Sequence, residues 1–284
     1  MSERLNASDS ASPQPTATTM LKLESNLGLS TDLRLHEQSG IVEAQDGYTV
    51  VRTPDAPEYF FGNLLVLPQR PLISDLGRIE RDFARLVGVP PRIAHRTFTW
   101  PEYPREEVDL DAFIAQGYDA TLYEVLAAKP SDIVPVTSRA HVDVRPFRSQ
   151  EDWDTWSAMQ LGDMPNPDDV TSQRFMAHQE KAYQRLIERG FGNWWGAFID
   201  GELAGSLGLF FLDGIGRFQS VLTGEAFRNQ GICKTLVSEV TQMTAARANV
   251  FVMVADESYH AGKIYQALGF RPEARVGSLC REPA

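Results

Sequence analysis

Arg228-Asn229-Gln230-Gly231-Ile232-Cys233 links a strand-like run, Arg217 to Thr223, to a stretch in which Ile232, Leu236, Val240 and Met243 recur at helical spacing. The local reading is strand, glycine-bearing turn, helix. At such a helix entrance the first backbone N–H groups have no partner inside the helix and can converge on an anion. The helix dipole adds roughly half a positive charge there, worth about 0.3–1 kcal/mol per anionic group. Gly231 permits close backbone approach. Many turns of this kind are only connections, so the residues downstream carry the decision.

Downstream come a strand, Val250 to Ala255, and a helix from about Tyr259 to Leu268, which ends in Ala261-x-x-x-Tyr265-x-x-Leu268-Gly269-Phe270. A final strand follows. The two motifs, in this order, resemble the GNAT superfamily of acetyl-CoA-dependent N-acetyltransferases. The resemblance is close from Arg217 to Phe270, and the order of elements extends it back to Val142.

The resemblance implies acetyl-CoA as co-substrate, no metal, and an amine-bearing small molecule or peptide as acceptor. It assigns the pyrophosphate to Arg228, Asn229, Gln230, Gly231, Ile232 and Cys233, and the pantetheine arm to the strand Val221-Leu222-Thr223. A backbone N–H in that strand would polarise the thioester carbonyl, which requires donors freed by a bulge or a strand splay. Tyr265 would protonate the departing thiolate. Its plainer role is core packing beside Ala261 and Leu268. Two positions depart from the family pattern: Cys233 stands where Gly or Ala is usual, and Ser258 where Asn is frequent.

Other chemistry is weaker. Cys233 at a helix start could relay an acyl group, but a small packing residue is the simpler reading. Glu225 is the carboxylate nearest in sequence to the cofactor strand, and it reads as a solvated turn residue, with water an equal candidate for carrying off the amine proton. Trp194-Trp195 alternates across a strand, which sends the two rings to opposite faces. His36, His95, His141, His178 and His260 form no constellation in sequence.

The second block opens with the alternating strand Val142, Val144, Pro146, continues with helices around 151–161 and 172–189, and then has three strand-like runs. Asp200-Gly201 and Asp213-Gly214 mark hairpins between them. Before it, strands are expected at Tyr48–Thr53, Tyr59–Leu67, Arg92–Trp100 and Tyr118–Leu126. A helix between Pro71 and Gly88 carries the stripe Leu72, Leu76, Ile79, Phe83, Leu86. Phe113-x-x-x-Gly117-Tyr118 repeats the spacing of Tyr265-x-x-x-Gly269-Phe270, so the two blocks read as copies of one plan.

The expected fold is therefore α/β: two GNAT-like mixed-sheet domains with helices on both faces, the first degenerate. Residues 1–20 read as a disordered tail, 21–134 as the degenerate domain and 140–284 as the acetyl-CoA-binding N-acetyltransferase domain, joined through a Lys/Pro/Ser/Asp-rich linker at 129–138. No Arg-x-x-Gly-x-Gly pattern occurs between Leu65 and Gly77, and Phe113 lacks the hydroxyl of Tyr265.

Composition sets the bounds. With 38 acidic and 27 basic residues the chain carries a formal charge of -11, which opposes broad contact with nucleic acid or anionic lipid. Two cysteines, Cys233 and Cys280, indicate neither a disulfide framework nor a zinc site, and a reducing cytoplasm fits them. The longest apolar runs are strand-sized. The leading expectation is direct N-acetyl transfer in a ternary complex. A non-catalytic acyl-CoA-binding or interaction module is the alternative, and neither acceptor identity nor oligomeric state is legible.

Overall fold

The computed structural model describes residues 25–102, 107–136 and 142–283, so the expected tail at 1–20 and part of the expected linker lie outside the described residues. Among the described residues seven α-helices and eleven strands form an α/β architecture around one sheet. The strands are β1 (Ile41–Gln45), β2 (Tyr48–Arg52), β3 (Leu64–Val66), β4 (Arg96–Glu102), β5 (Asp119–Ala128), β6 (Asp143–Pro146), β7 (Gly192–Ile199), β8 (Glu202–Leu212), β9 (Ile215–Thr223), β10 (Val250–Asp256) and β11 (Arg271–Arg281). The helices are α1 (Leu27–His36), α2 (Leu76–Leu86), α3 (Asp111–Ile114), α4 (Gln150–Gly162), α5 (Val170–Glu188), α6 (Ile232–Thr244) and α7 (Ala261–Gln266).

The sheet order is β1-β2-β3-β4-β11-β5-β10-β9-β8-β7-β6. The α/β class and the helices on both faces agree with expectation, but the two sheets are fused into one. Within each half the same plan recurs. β3 runs parallel to β4 with α2 between them, as β9 runs parallel to β10 with α6 between them, and each unit continues into a short helix and a last strand. The last strands are exchanged: β11 lies between β4 and β5, and β5 lies between β11 and β10.

The repeated aromatic-Gly motif closes both short helices in the same way. Gly117 and Gly269 have φ of 81° and 100°, and the N–H of the next residue bonds back to the aromatic residue's carbonyl, Tyr118 to Phe113 at 3.2 Å and Phe270 to Tyr265 at 3.1 Å. This left-handed helix end needs glycine.

Side-chain alternation along β5 sorts the helices. Leu122, Leu126 and Ala128 face the layer of α2, α3, α6 and α7, whereas Val125 and Ala127 face that of α1, with α4 and α5 farther along the same side. Trp194 and Trp195 go to opposite faces as expected, Trp194 joining Trp153 and Trp156 under α4 and α5, and Trp195 packing under α6.

Several boundaries differ from expectation for local reasons. The strand expected at Tyr59–Leu67 is reduced to Leu64–Val66, because Phe60–Gly62 forms a 3₁₀ turn locked by Asn63, whose amide nitrogen donates to the Ala56 and Tyr59 carbonyls and whose oxygen accepts from Thr53 N–H. The strand expected from Arg92 starts only at Arg96, after a proline-bearing turn. The helix expected from Tyr259 starts at Ala261. Helix α1 and strand β1 were not expected: α1 lacks a sustained apolar stripe and is set by its Asn26 cap, whose side chain accepts from Leu29 N–H.

Candidate functional site

Strand β9 brings the functional features into one line. It pairs with β10 only at Ile215, Gly216 and Arg217. Beyond those residues β9 stays with β8 as far as Thr223, while β10 follows β5 to Asp256, so the two parallel strands part and leave a V-shaped opening. The β8–β9 register slips between Ser206 and Gly208, placing Ser220 and Val221 opposite Leu207 in a bulge whose Ser220 has φ 43°. Splay and bulge together release backbone N–H groups in the segment that contains Val221, Leu222 and Thr223.

After β9 a 3₁₀ turn, Glu225–Phe227, leads to the loop. Asn229 and Gly231 both take left-handed backbone, φ 63° and 83°, before α6 begins at Ile232. No side chain caps this helix, so its leading N–H groups face outward from an exposed loop. A cofactor pyrophosphate fits these residues: the donors are uncapped and the turn is already formed. Arg228 folds back, donating to the Thr223 carbonyl at 3.3 Å and pairing with Asp163 at 2.7 Å, and Gln230 donates to the Ala226 carbonyl. Their side chains brace the loop, and its anion-binding potential resides in its backbone.

Tyr265 and Cys233 meet behind the splay. The phenol is 6% exposed, and burial is the main cause that holds its proton above the usual tyrosine range, reinforced by Cys233. Burial likewise pushes the Cys233 thiol up to about 11, against the lowering effects of the Lys234 charge and of the neighbouring Tyr265. Both groups are protonated at neutral pH, which suits Tyr265 as a proton donor and leaves Cys233 a poor nucleophile. Ser258 sits in the turn after β10, where its hydroxyl and N–H both donate to Asp256 at 2.7 and 2.8 Å. Glu225 is exposed in its turn.

On the opposite face, below α1, lies a cavity of about 230 Å³ at the junction of the two halves. Its lining includes Arg217 and Gln219 of β9, Val254 of β10, Asp32 and His36 of α1, and Tyr59. Arg217 is 5% exposed and donates to Asp32 at 2.7 Å and to the Phe218 carbonyl at 2.8 Å. Burial lowers the His36 pKa below 6.5 despite the opposing pull of Asp32. The loss of solvent raises the Tyr59 phenol, whose ring packs 5.4 Å from Phe175 of α5. These residues escaped sequence reasoning because Asp32 and Arg217 lie 185 positions apart. A buried arginine in a strand was the available signal.

The first half has no equivalent loop. Between β3 and α2, Pro68 and Pro71 lack N–H groups, and Asp75 occupies the helix entrance, accepting the Leu72 N–H at 3.0 Å. Arg70 there is engaged by Glu102 in a bidentate pair at 2.6 and 2.8 Å. Among the described residues no cluster of three His, Cys, Asp or Glu side chains could hold a metal, and no helix is long and apolar enough to cross a membrane.

Residues 153–270 match the model of the acetyltransferase (GNAT) family. This stretch is a GNAT domain. It spans the helices before the splay, the splay itself, the loop and the Tyr265 helix. The first half repeats the strand–helix order of this stretch without its loop. No curated protein matches the chain. Among solved structures, a functionally unknown conserved protein from Staphylococcus epidermidis superposes with a TM-score of 0.69 at 15% identity, over 86% of this chain and 95% of that one. A GCN5-related N-acetyltransferase from Kribbella flavida gives 0.56 at 17% identity over 94% and 96%. A tandem GNAT protein from the clavulanic acid biosynthesis pathway gives 0.50 at 16% over 78% and 74%. At these identities the likeness is one of fold. The GNAT domain supports an acyltransferase, and its family generally uses acetyl-CoA.

Proposed function

We propose that this protein transfers an acetyl group from acetyl-CoA to the nitrogen of a small amine by direct attack in a ternary complex. The observation that carries the reading is the succession along β9: cavity-lining Arg217 and Gln219, then the Ser220–Val221 bulge where β10 has parted, then the uncapped entrance of α6. An amine held in the cavity and a thioester held at the bulge would meet through the opening where β9 and β10 have parted, and that alignment supplies a large share of the rate.

In this reading the backbone of Arg228–Cys233 binds the pyrophosphate, and the β9 segment Val221–Thr223 holds the pantetheine arm. Freed N–H groups at the bulge stabilise charge on the carbonyl oxygen as the amine attacks. Tyr265 donates its proton to the leaving sulfur. On the cavity side His36 is the proton acceptor for the amine, neutral at neutral pH because burial disfavours its cation. Ser258 has no direct contact role, since its hydroxyl is committed to Asp256. The second half, 140–284, houses the transfer chemistry, and 21–134 completes the sheet and the acceptor cavity. The free thiols Cys233 and Cys280 suit a reducing cytoplasm.

The test is thiol release from acetyl-CoA by the purified protein across a panel of small amines. Amine-dependent release with one-to-one formation of acetylated product is expected. Tight coenzyme A binding with no release from any amine would leave an acyl-CoA-binding module in its place.

A further inference from the structure

The cavity under α1 contains unmet donors. Among the described residues Arg217 Nε, Gln219 Nε2 and Thr99 Oγ1 are buried without a hydrogen-bond partner, and all three residues line this cavity. Arg Nε–H and an amide NH₂ can only donate, so they call for oxygen acceptors. A buried donor left unpaired costs about 1–3 kcal/mol, and native structures rarely tolerate two together. Arg217 and Gln219 are two residues apart on one strand and so share a face.

The ionic character of the cavity is balanced. Arg217 faces the carboxylate of Asp32 across 2.7 Å, and the other nearby titratable groups, His36, Tyr59 and Tyr123, are held neutral at neutral pH by burial. The remaining wall is mostly apolar, with Leu29, Leu33, Phe61, Leu64, Val254 and Val276. A ligand that complements one anion, one cation and an apolar wall carries both charges and an apolar body. A simple alkylamine leaves both donors of β9 unmet, and a polyamine or aminoglycoside adds cationic charge beside Arg217.

We propose, resting on the acetyltransfer reading above, that the acceptor is a small apolar α-amino acid whose carboxylate docks on Arg217 Nε and Gln219 Nε2. Spacing favours the α-amine. The bulge at Ser220–Val221 follows Gln219 directly along β9, at about 3.3 Å per strand residue, so an amine close to the docked carboxylate is the one beside the bulge. The amine gives up its proton to the neutral imidazole of His36, its nitrogen forms the amide bond to the acetyl carbon, the carbon–sulfur bond breaks, and coenzyme A leaves as the thiol with the proton from Tyr265, which is restored from solvent. Asp32 is a positioning residue that holds the guanidinium and balances its charge.

The experiment is calorimetric titration of the full chain, saturated with coenzyme A, with leucine, methionine and phenylalanine and with the matched probes leucinamide and 3-methylbutylamine. Thiol release from acetyl-CoA is followed with the same compounds. At least one free amino acid is expected to bind at least tenfold more tightly than its matched amine, and Gln219→Met is expected to shrink that ratio severalfold while coenzyme A affinity and thermal midpoint stay unchanged. Arg217→Lys keeps the charge but loses Nε–H and should shrink it further. Equal or tighter binding of 3-methylbutylamine, or no binding of any free amino acid, overturns the proposal. Turnover of amines without regard to a carboxylate would sink this inference and spare the acetyltransfer reading. Carboxylate-dependent binding without thiol release would do the reverse.

Discussion

The hydroxyl of Tyr265 lies against the thiol of Cys233, where helix α7 meets the first turn of α6. The cysteine that departs from the family's small-residue pattern thus touches the candidate proton donor. Both groups hold their protons at neutral pH, so the pair can lend one to a thiolate but offers no nucleophile of its own.

Tyr265→Phe removes the donor and little packing. Turnover should fall about 100-fold, within the usual range for a lost general acid, with coenzyme A affinity unchanged within a fewfold. Cys233→Ala should retain turnover within a fewfold. Steady-state kinetics alongside calorimetry separate the two, and loss of all turnover in Cys233→Ala would reinstate an acyl relay.

Gly231→Ala tests the loop. A Cβ there meets nothing within 4 Å, so the whole effect comes from forcing φ 83° on a residue that resists it, about 1–2 kcal/mol. Coenzyme A binding should weaken about tenfold with a drop of only a few degrees in the thermal midpoint. Gly231→Asn should lie between alanine and the parent, since asparagine tolerates the left-handed region.

Asp152 anchors the start of α4. It receives both guanidinium nitrogens of Arg145 at 2.8 and 2.9 Å and the Arg148 N–H at 2.7 Å, and the Arg145 hydrogen bonds chiefly hold its pKa at about 2. A carboxylate depressed on folding stabilises above its unfolded value of 3.8, and the contribution fades as pH falls toward 2. Asp152→Asn should therefore lose about 1–2 kcal/mol at neutral pH, after discounting for solvent screening, and the deficit should close in acid. Thermal melts between pH 7 and pH 2 measure it.

Three histidines, His36, His95 and His178, are held below 6.5, in each case mainly by burial. The unfolded chain takes up these protons near pH 6.5 while the folded one refuses them, so their contribution is complete above 6.5 and lost as pH falls below it. The thermal midpoint should drop as pH goes from 7 to 5. His95 is 1% exposed, with Nε2 at 2.9 Å from the Asn63 carbonyl and its ring 4.5 Å from Phe60. His95→Gln should flatten part of that slope, and an unchanged slope would refute its share.

Legibility followed sequence distance. The Asp200-Gly201 and Asp213-Gly214 hairpins were readable because both residues of each pair take positive φ, from 49° to 88°, which that dipeptide favours. Asp46-Gly47 is a third, at 52° and 85°, overlooked because the strand before it, β1, is exposed and weakly patterned. The loop and Tyr265 were readable because they lie within one strand-helix-strand-helix run. The exchanged strands and the cavity were not, because each joins positions more than 100 apart, such as Leu126 with Met253 or Asp32 with Arg217, and the splay depends on β10 staying with that exchanged β5. Residue-level periodicity reports which face of an element is apolar but not which element covers it.

A last expectation concerns β11. Gly277 lies across from Trp100, and a Cβ there would stand 2.1 Å from the indole. Gly277→Ala should cost about 1–3 kcal/mol by overpacking, and melts followed by tryptophan fluorescence and by circular dichroism should shift together in a single transition. Residues 25–136 and 142–283 expressed separately should each fail to fold, and recovery on mixing would trace to β5 and β11 finding each other.

The exchanged strands also suggest why a half with no coenzyme loop of its own is retained. One arm of the V, β10, has β5 as its only outer neighbour, and β5 comes from that half. The width of that opening is thus set by a strand of the other half, much as a door's swing depends on the far jamb. Deleting residues 25–136 would not trim the fold to a working part; it would unhinge it.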